Sequence, residues 1–170
     1  MITDALLRLS GTNATPPVPQ TPNYNFGVVH YSTNAIDLQS GTNLSGGTST
    51  SQNRDIGEGE DLYATITIAA AAAGGTTGMI AEVIVSDDVA GTTNALVVGT
   101  FGNLTIAAMA AGANFVARIN PQLATRGQRY MQLRFTNGAT TNISGLTFYA
   151  DIVTDIYDSR KFYAGGFTVS

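Results

Sequence analysis

The chain has 170 residues, 44% hydrophobic but only 12% charged, with a net charge of −4 and no cysteine. That length buries roughly two-thirds of the unfolded surface around one core, and the charged share is about half the globular norm. The apolar content excludes disorder, the absent thiols exclude disulfides and thiolate metal sites, and the acidic balance disfavours binding to nucleic acid.

A cysteine-free chain suits a reducing cytosol. Residues Met1 to Ser10 lack the basic-then-apolar layout of a signal peptide, and the longest apolar stretch, Ile68 to Ala73, is too short to span a bilayer. Asn-x-Ser/Thr triplets at Asn13, Asn43, Asn103 and Asn142 are read as chance in a chain so rich in Asn and Thr.

Asp4 to Leu9 is briefly amphipathic. Gly11 to Asn25 then holds Pro16, Pro17, Pro19 and Pro22, which predicts an extended arm or loop and not an interior strand. Short strand candidates follow at Phe26 to Tyr31 and Ala35 to Leu38. Ser40 to Asn53 is almost wholly Gly, Ser, Thr and Asn, a loop with little to bury.

Beyond it the period-two pattern is plain. Leu62, Ala64, Ile66 and Ile68 alternate with Tyr63, Thr65 and Thr67, and Met79, Ala81, Val83 and Val85 with Ile80, Glu82 and Ile84. Met131, Leu133 and Phe135 repeat the pattern, as do Leu146, Phe148, Ala150 and Ile152. Leu96 to Phe101 and Phe115 to Ile119 are shorter candidates. Turn chemistry marks Gly74-Gly75, Asp87-Asp88, Gly112, Asn120-Pro121 and Asn137-Gly138. Ala69 to Ala73 reads as a strand end and Ala107 to Ala111 as a loop or single turn, since neither run is long enough for a stable helix. About eight antiparallel strands predict an all-β sandwich or small barrel. One domain spans 1–170, with an arm and Pro-rich loop at 1–25, the sandwich at 26–158 and a tail at 159–170.

Chemistry is sparse. His30, the single histidine, reads as a packing or polar-face residue, and a His-rich zinc site within one chain is excluded. No Gly-x-Ser-x-Gly elbow is present. Asp55, Glu58, Glu60 and Asp61 match no calcium-loop spacing and read as a solvated turn before Leu62. Gly57-Glu58-Gly59 carries acids where a phosphate cradle needs bare amides and a lysine, and Gly74 to Gly78 lacks a Gly-Lys-Ser/Thr ending. Arg118, Arg126, Arg129 and Arg134 are dispersed, and Arg134 shares a strand face with Gln132, which suits a solvated face or an interface contact. The expectation is a non-enzyme with no catalytic residue, cofactor or metal.

The C-terminal run Arg160-Lys161-Phe162-Tyr163-Ala164-Gly165-Gly166-Phe167 sets three aromatics beside paired cations. It reads either as a last strand of the chain's own sandwich or as a set of anchors for another subunit.

Three stretches occur in order: Met1-Ile2-Thr3-Asp4 with Leu6-Leu7-Arg8-Leu9; Ser32 to Leu38 with Arg54-Asp55-Ile56-Gly57-Glu58-Gly59 and Leu62-Tyr63; and Gly127 to Leu133 with the Phe-Tyr-Ala-Gly-Gly-Phe tail. Together they cover most of the chain, and the set resembles the jelly-roll capsid cement (decoration) proteins of tailed bacteriophages. The loops at Pro16 to Asn25 and Ser40 to Asn53 look like insertions relative to that shorter pattern. The resemblance implies a jelly-roll sandwich with extended arms, a homo-oligomer (a dimer, or else a trimer), and a seat on the capsid exterior. There it would clamp the major capsid protein, with no direct contact to nucleic acid or membrane. Arg8, Arg54, Arg160, Lys161, Phe162, Tyr163 and Phe167 are the expected capsid or oligomer contacts. The rival reading is a carbohydrate-binding sandwich, an adhesin or lectin-like module, with Tyr63 and Tyr149 as candidate sugar platforms.

Overall fold

In the computed structural model, described for residues 8–12, 18–21, 24–25, 27–38, 41–42, 48–49, 61–74, 77–120, 127–138 and 141–154, the alternating segments become strands. They are β1 (Arg8–Ser10), β2 (Val29–Tyr31), β3 (Ile36–Asp37), β4 (Gly41–Thr42), β5 (Thr48–Ser49), β6 (Tyr63–Ala70), β7 (Met79–Ser86), β8 (Leu96–Leu104), β9 (Asn114–Arg118), β10 (Tyr130–Asn137) and β11 (Thr147–Val153). No helix occurs among the described residues, and the fold is all-β.

One sheet runs β1-β11-β6-β9 and the other β2-β10-β7-β8, with β3 also paired to β10. β2 and β3 lie along the same strand of β10, opposite Arg134 to Thr136 and opposite Tyr130 and Met131 respectively, so they act as one interrupted edge strand. Ser32 bridges the interruption: its N–H donates to the Leu133 carbonyl and its Oγ accepts from the Leu133 N–H, both at 3.0 Å. The pairings are therefore nested along the chain: β1 with β11, β2/β3 with β10, β6 with β9, and β7 with β8. Folding a long hairpin over itself into two sheets produces this order. It is the jelly-roll arrangement.

Alternation decides what faces inward. Ala64, Ile66 and Ile68 of β6 and Phe148, Ala150 and Ile152 of β11 meet Met79, Ala81, Val83 and Val85 of β7 and Met131, Leu133 and Phe135 of β10, all buried. β8 reads weakly in the sequence because its register shifts twice against β7, at Ala81/Glu82 and at Val83/Ile84. The extra residue at one shift, Val98, turns into the core. These bulges also make β8 a poor template for adding a foreign strand at the sheet edge. The alanine runs behave as expected. Ala69 and Ala70 end β6, and the second run holds one turn in which the N–H groups of Ala108 and Met109 donate to the Thr105 carbonyl.

Two expectations shift. The sandwich begins at Arg8, not residue 26, because Leu9 is fully buried and β1 pairs with β11. The described residues of the Pro-rich segment, 18–21 and 24–25, form no strand, yet they are not a free arm. Gln20 exchanges backbone bonds with Phe148 and Tyr24 with Ile143, and the Gln20 side chain reaches the Tyr31 carbonyl and the Thr33 N–H. These residues clasp β11 to β2 across the open side of the sandwich. Tyr24, 1% exposed, packs on Phe135 at 5.3 Å between centroids, and Phe135 packs on Phe148 at the same separation. Of the Ser40 to Asn53 loop, the described part is the two-residue ladder of β4 with β5.

Replacing Phe135 by Ala removes the central ring of this contact and is expected to cost about 3–5 kcal/mol in denaturant unfolding. Gly78 is the backbone counterpart: φ is +105° and a Cβ there meets the Leu104 carbonyl. Gly78→Ala is therefore expected to lower stability by about 2 kcal/mol or more, measured in the same titration.

Candidate contact surface

The two sheets leave two outer faces. On the five-stranded sheet, register places Val29, Thr136, Ile80 and Asn103 in one cross-strand row. The next outward row is Tyr31, Arg134, Glu82 and Thr100, and the third is Gln132, Ile84 and Val97. Val29 is 43% exposed and Ile80 42%, with Val28 beside them at 46%. Val29 and Ile80 flank Thr136 of the intervening β10, and aliphatic side chains this open mark a surface suited to apolar contact.

In the third row Ile84 and Gln132 are covered, whereas Val97 is 46% exposed. Ile84 is fully buried although it stands outside the main core cluster, and Gln132 is 2% exposed. The β7–β8 loop folds back over them: the Tyr31 hydroxyl donates to the Gly91 carbonyl at 3.3 Å, and a Cβ on Gly91 would strike the Gln132 amide and the Tyr31 ring. Sequence alternation puts Gln132 on the outer face, but nothing in it shows that a loop would cover it.

Asp88 shapes that loop. Its carboxylate accepts the N–H groups of Thr92 at 2.9 Å and Thr93 at 2.8 Å and the Thr92 hydroxyl at 2.8 Å, an extended Asx turn. The bond from the Thr93 N–H leads the effects that hold the carboxyl below the ordinary aspartate range. Asn94 follows in the left-handed region at φ 49°, a conformation asparagine tolerates better than most residues.

Charge on the described surface is matched locally. Arg134 donates from Nε and Nη2 to Glu82 at 3.0 and 2.8 Å, Arg129 forks onto Asp37 at 3.0 and 2.8 Å, and Arg118 pairs with Asp61. The fourth described arginine, Arg8, is inside. It is 7% exposed, donates from Nε to Asp151 at 2.9 Å and from Nη1 to the Thr12 carbonyl at 2.9 Å, and lies over the Tyr149 ring. Desolvation of such a pair is offset only because each partner finds several contacts. Expected as a contact to another protein, Arg8 is spent on the chain's own edge strand. Arg54, Arg160, Lys161, Phe162, Tyr163 and Phe167 lie outside the described residues.

The remaining candidates resolve as follows. His30 packs edge-on against Tyr24 at 4.9 Å, in keeping with a packing residue. The Tyr63 hydroxyl donates to Asp61, and the half-buried Tyr149 is flanked by Gly11 and Arg8, so neither ring lies open as a sugar platform. Among the described residues, no three His, Cys, Asp or Glu side chains gather as a metal ligand set. No helix there is long and apolar enough to cross a membrane.

A family model described as Bbp16 matches residues 28–152, from the approach to β2 to the penultimate residue of β11. The chain belongs to the Bbp16 family. No curated protein matches it. The Bbp16 match takes in the exposed Val28, Val29 and Ile80 and the covering loop, and it leaves out β1, the clasp residues and the aromatic tail.

The Arg8–Asp151 pair makes a double test. Arg8→Met alone is expected to cost about 3–5 kcal/mol by stranding Asp151, while Arg8→Met with Asp151→Leu regains most of the loss in urea unfolding. Acid tests the loop. A carboxyl held low stabilises the fold above the ordinary aspartate range, and that contribution fades as pH falls through the folded value. The melting temperature of Asp88→Asn is therefore expected to lie below wild type at neutral pH and to converge on it as pH falls below the ordinary aspartate range.

Proposed function

We propose that this protein is a structural virion component that seats on the outside of an icosahedral phage head and cements neighbouring copies of the major capsid protein. The observation that carries the reading is the pairing of a jelly-roll body with the open aliphatic Val29 and Ile80 of one outer row, with Val28 next to Val29 in the chain, beside Arg134 already neutralised by Glu82. A surface of that kind gains free energy by covering apolar area against protein, and it offers a polyphosphate little. The resemblance of the chain's three ordered motifs to capsid cement proteins points the same way.

The chemistry of such a role is mass action. Each copy that bridges two subunits binds the assembled shell and not its separated parts, so occupancy raises the shell's resistance to heat. A homo-oligomer multiplies the effect, because a second foot is held at high local concentration once the first has bound. No bond is made or broken. The aromatic tail and its cations, Arg160 to Phe167, supply further anchors in this reading.

Purified protein added to heads that lack it is expected to bind at saturable occupancy and to raise their melting temperature. Val29→Asp with Ile80→Asp is expected to weaken occupancy about tenfold or more, since carboxylates would be buried without partners. Truncation before Arg160 is expected to weaken it as well. Heads that take up no wild-type protein overturn the function; normal uptake of the double aspartate variant overturns the assignment of the face.

A further inference from the structure

The clasp that closes the open side of the sandwich rests against the only histidine of the chain, His30 of β2. His30 Nε2 accepts the backbone N–H of Asn25 at 3.2 Å, and the same ring packs edge-on against Tyr24. An N–H donor requires a lone pair on Nε2, so the imidazole proton of this state sits on Nδ1. Protonation places a second N–H at Nε2, facing the Asn25 N–H, and the bond is lost.

We propose that His30 is a pH-sensitive latch that holds the Asn25 end of the clasp against β2 only while its imidazole is neutral. The neighbourhood isolates the histidine as the switch. Register sets His30 opposite Phe135, whose ring is in the core, so among the described residues the groups beside it are Tyr24 from the clasp and Phe135 from β10. Burial holds the Tyr24 phenol neutral well beyond its usual range, so it does not change charge where imidazoles do. Arg134 and Glu82 belong to the opposite face of the sheet and are paired to each other, and Tyr31, next along β2, alternates to that face as well. Asp37 and Arg129 pair at the β3 end.

The rest of the clasp stays tied as the latch opens. Gln20 keeps its bonds to Phe148, and Asn137 Nδ2 holds the Tyr24 carbonyl at 3.0 Å. Acid thus loosens one corner, the Tyr24–Asn25 corner between β2 and the Ile143 bridge, without unfolding the sandwich. The effect is independent of the capsid reading.

Amide hydrogen exchange on the full chain tests this. Between about pH 7.5 and about pH 5.5 the protection factor of the Asn25 amide is expected to fall threefold to tenfold, the loss of roughly one neutral hydrogen bond, with the core amides of β7 and β10 unchanged. In His30→Gln, which cannot gain the proton, Asn25 protection is expected to be flat across the same range, whatever its level. A wild type with no fall, or a fall of equal size in His30→Gln, overturns the latch. Nitrogen shifts of the wild-type imidazole give a second check that needs no variant. At the neutral end they are expected to show Nε2 as the unprotonated atom, and a proton on Nε2 there overturns the proposal.

Discussion

Everything in this molecule depends on the apolar layer between its two sheets, and within that layer on the contact of Phe135 with Phe148. One ring comes from β10 and the other from β11, and they meet with centroids 5.3 Å apart. β10 carries β2, β3 and β7, and β11 carries β1 and β6, so this contact joins the two strands on which both sheets are assembled. Tyr24 adds a third ring from the clasp. With few charges and no disulfide available, burial of such side chains is the main stabilising term.

The polar groups serve the edges of this layer. Arg8 and Asp151 fasten the short β1 to β11, Ser32 spans the break between β2 and β3, and Gln20 ties the clasp to β2. Each is a place where the backbone leaves its ladder and a side chain takes over as donor or acceptor. A chain with so few charges uses the four described arginines as fasteners, and that economy leaves the described surface close to neutral in patches.

Function, on this account, resides in what the outer face of the five-stranded sheet shows and hides. The β7–β8 loop, shaped by Asp88, lies across Gln132 and Ile84 and covers them, while Val97 in the same row stays open. Val28, Val29 and Ile80 remain open as well.

The sequence alone determined the class and most of the strands, because a side-chain period of two is a local property. Met79 to Val85, Met131 to Phe135, and Leu62 to Ile68 announce which side chains go inward wherever the strand is regular. Locality also explains the losses. β8 hides behind two bulges that break the alternation, and β1 is three residues long, too short to display a period. Tyr24 joins the core from a proline-rich stretch whose composition suggests only a loop. Gln132 is buried by a loop that starts and ends more than thirty residues away. Arg8 shows no sign in the sequence of its partner Asp151, 143 positions on. Only the tertiary fold decides such pairings, because burial and charge partners depend on which distant segments meet, and neighbouring residues carry no record of that.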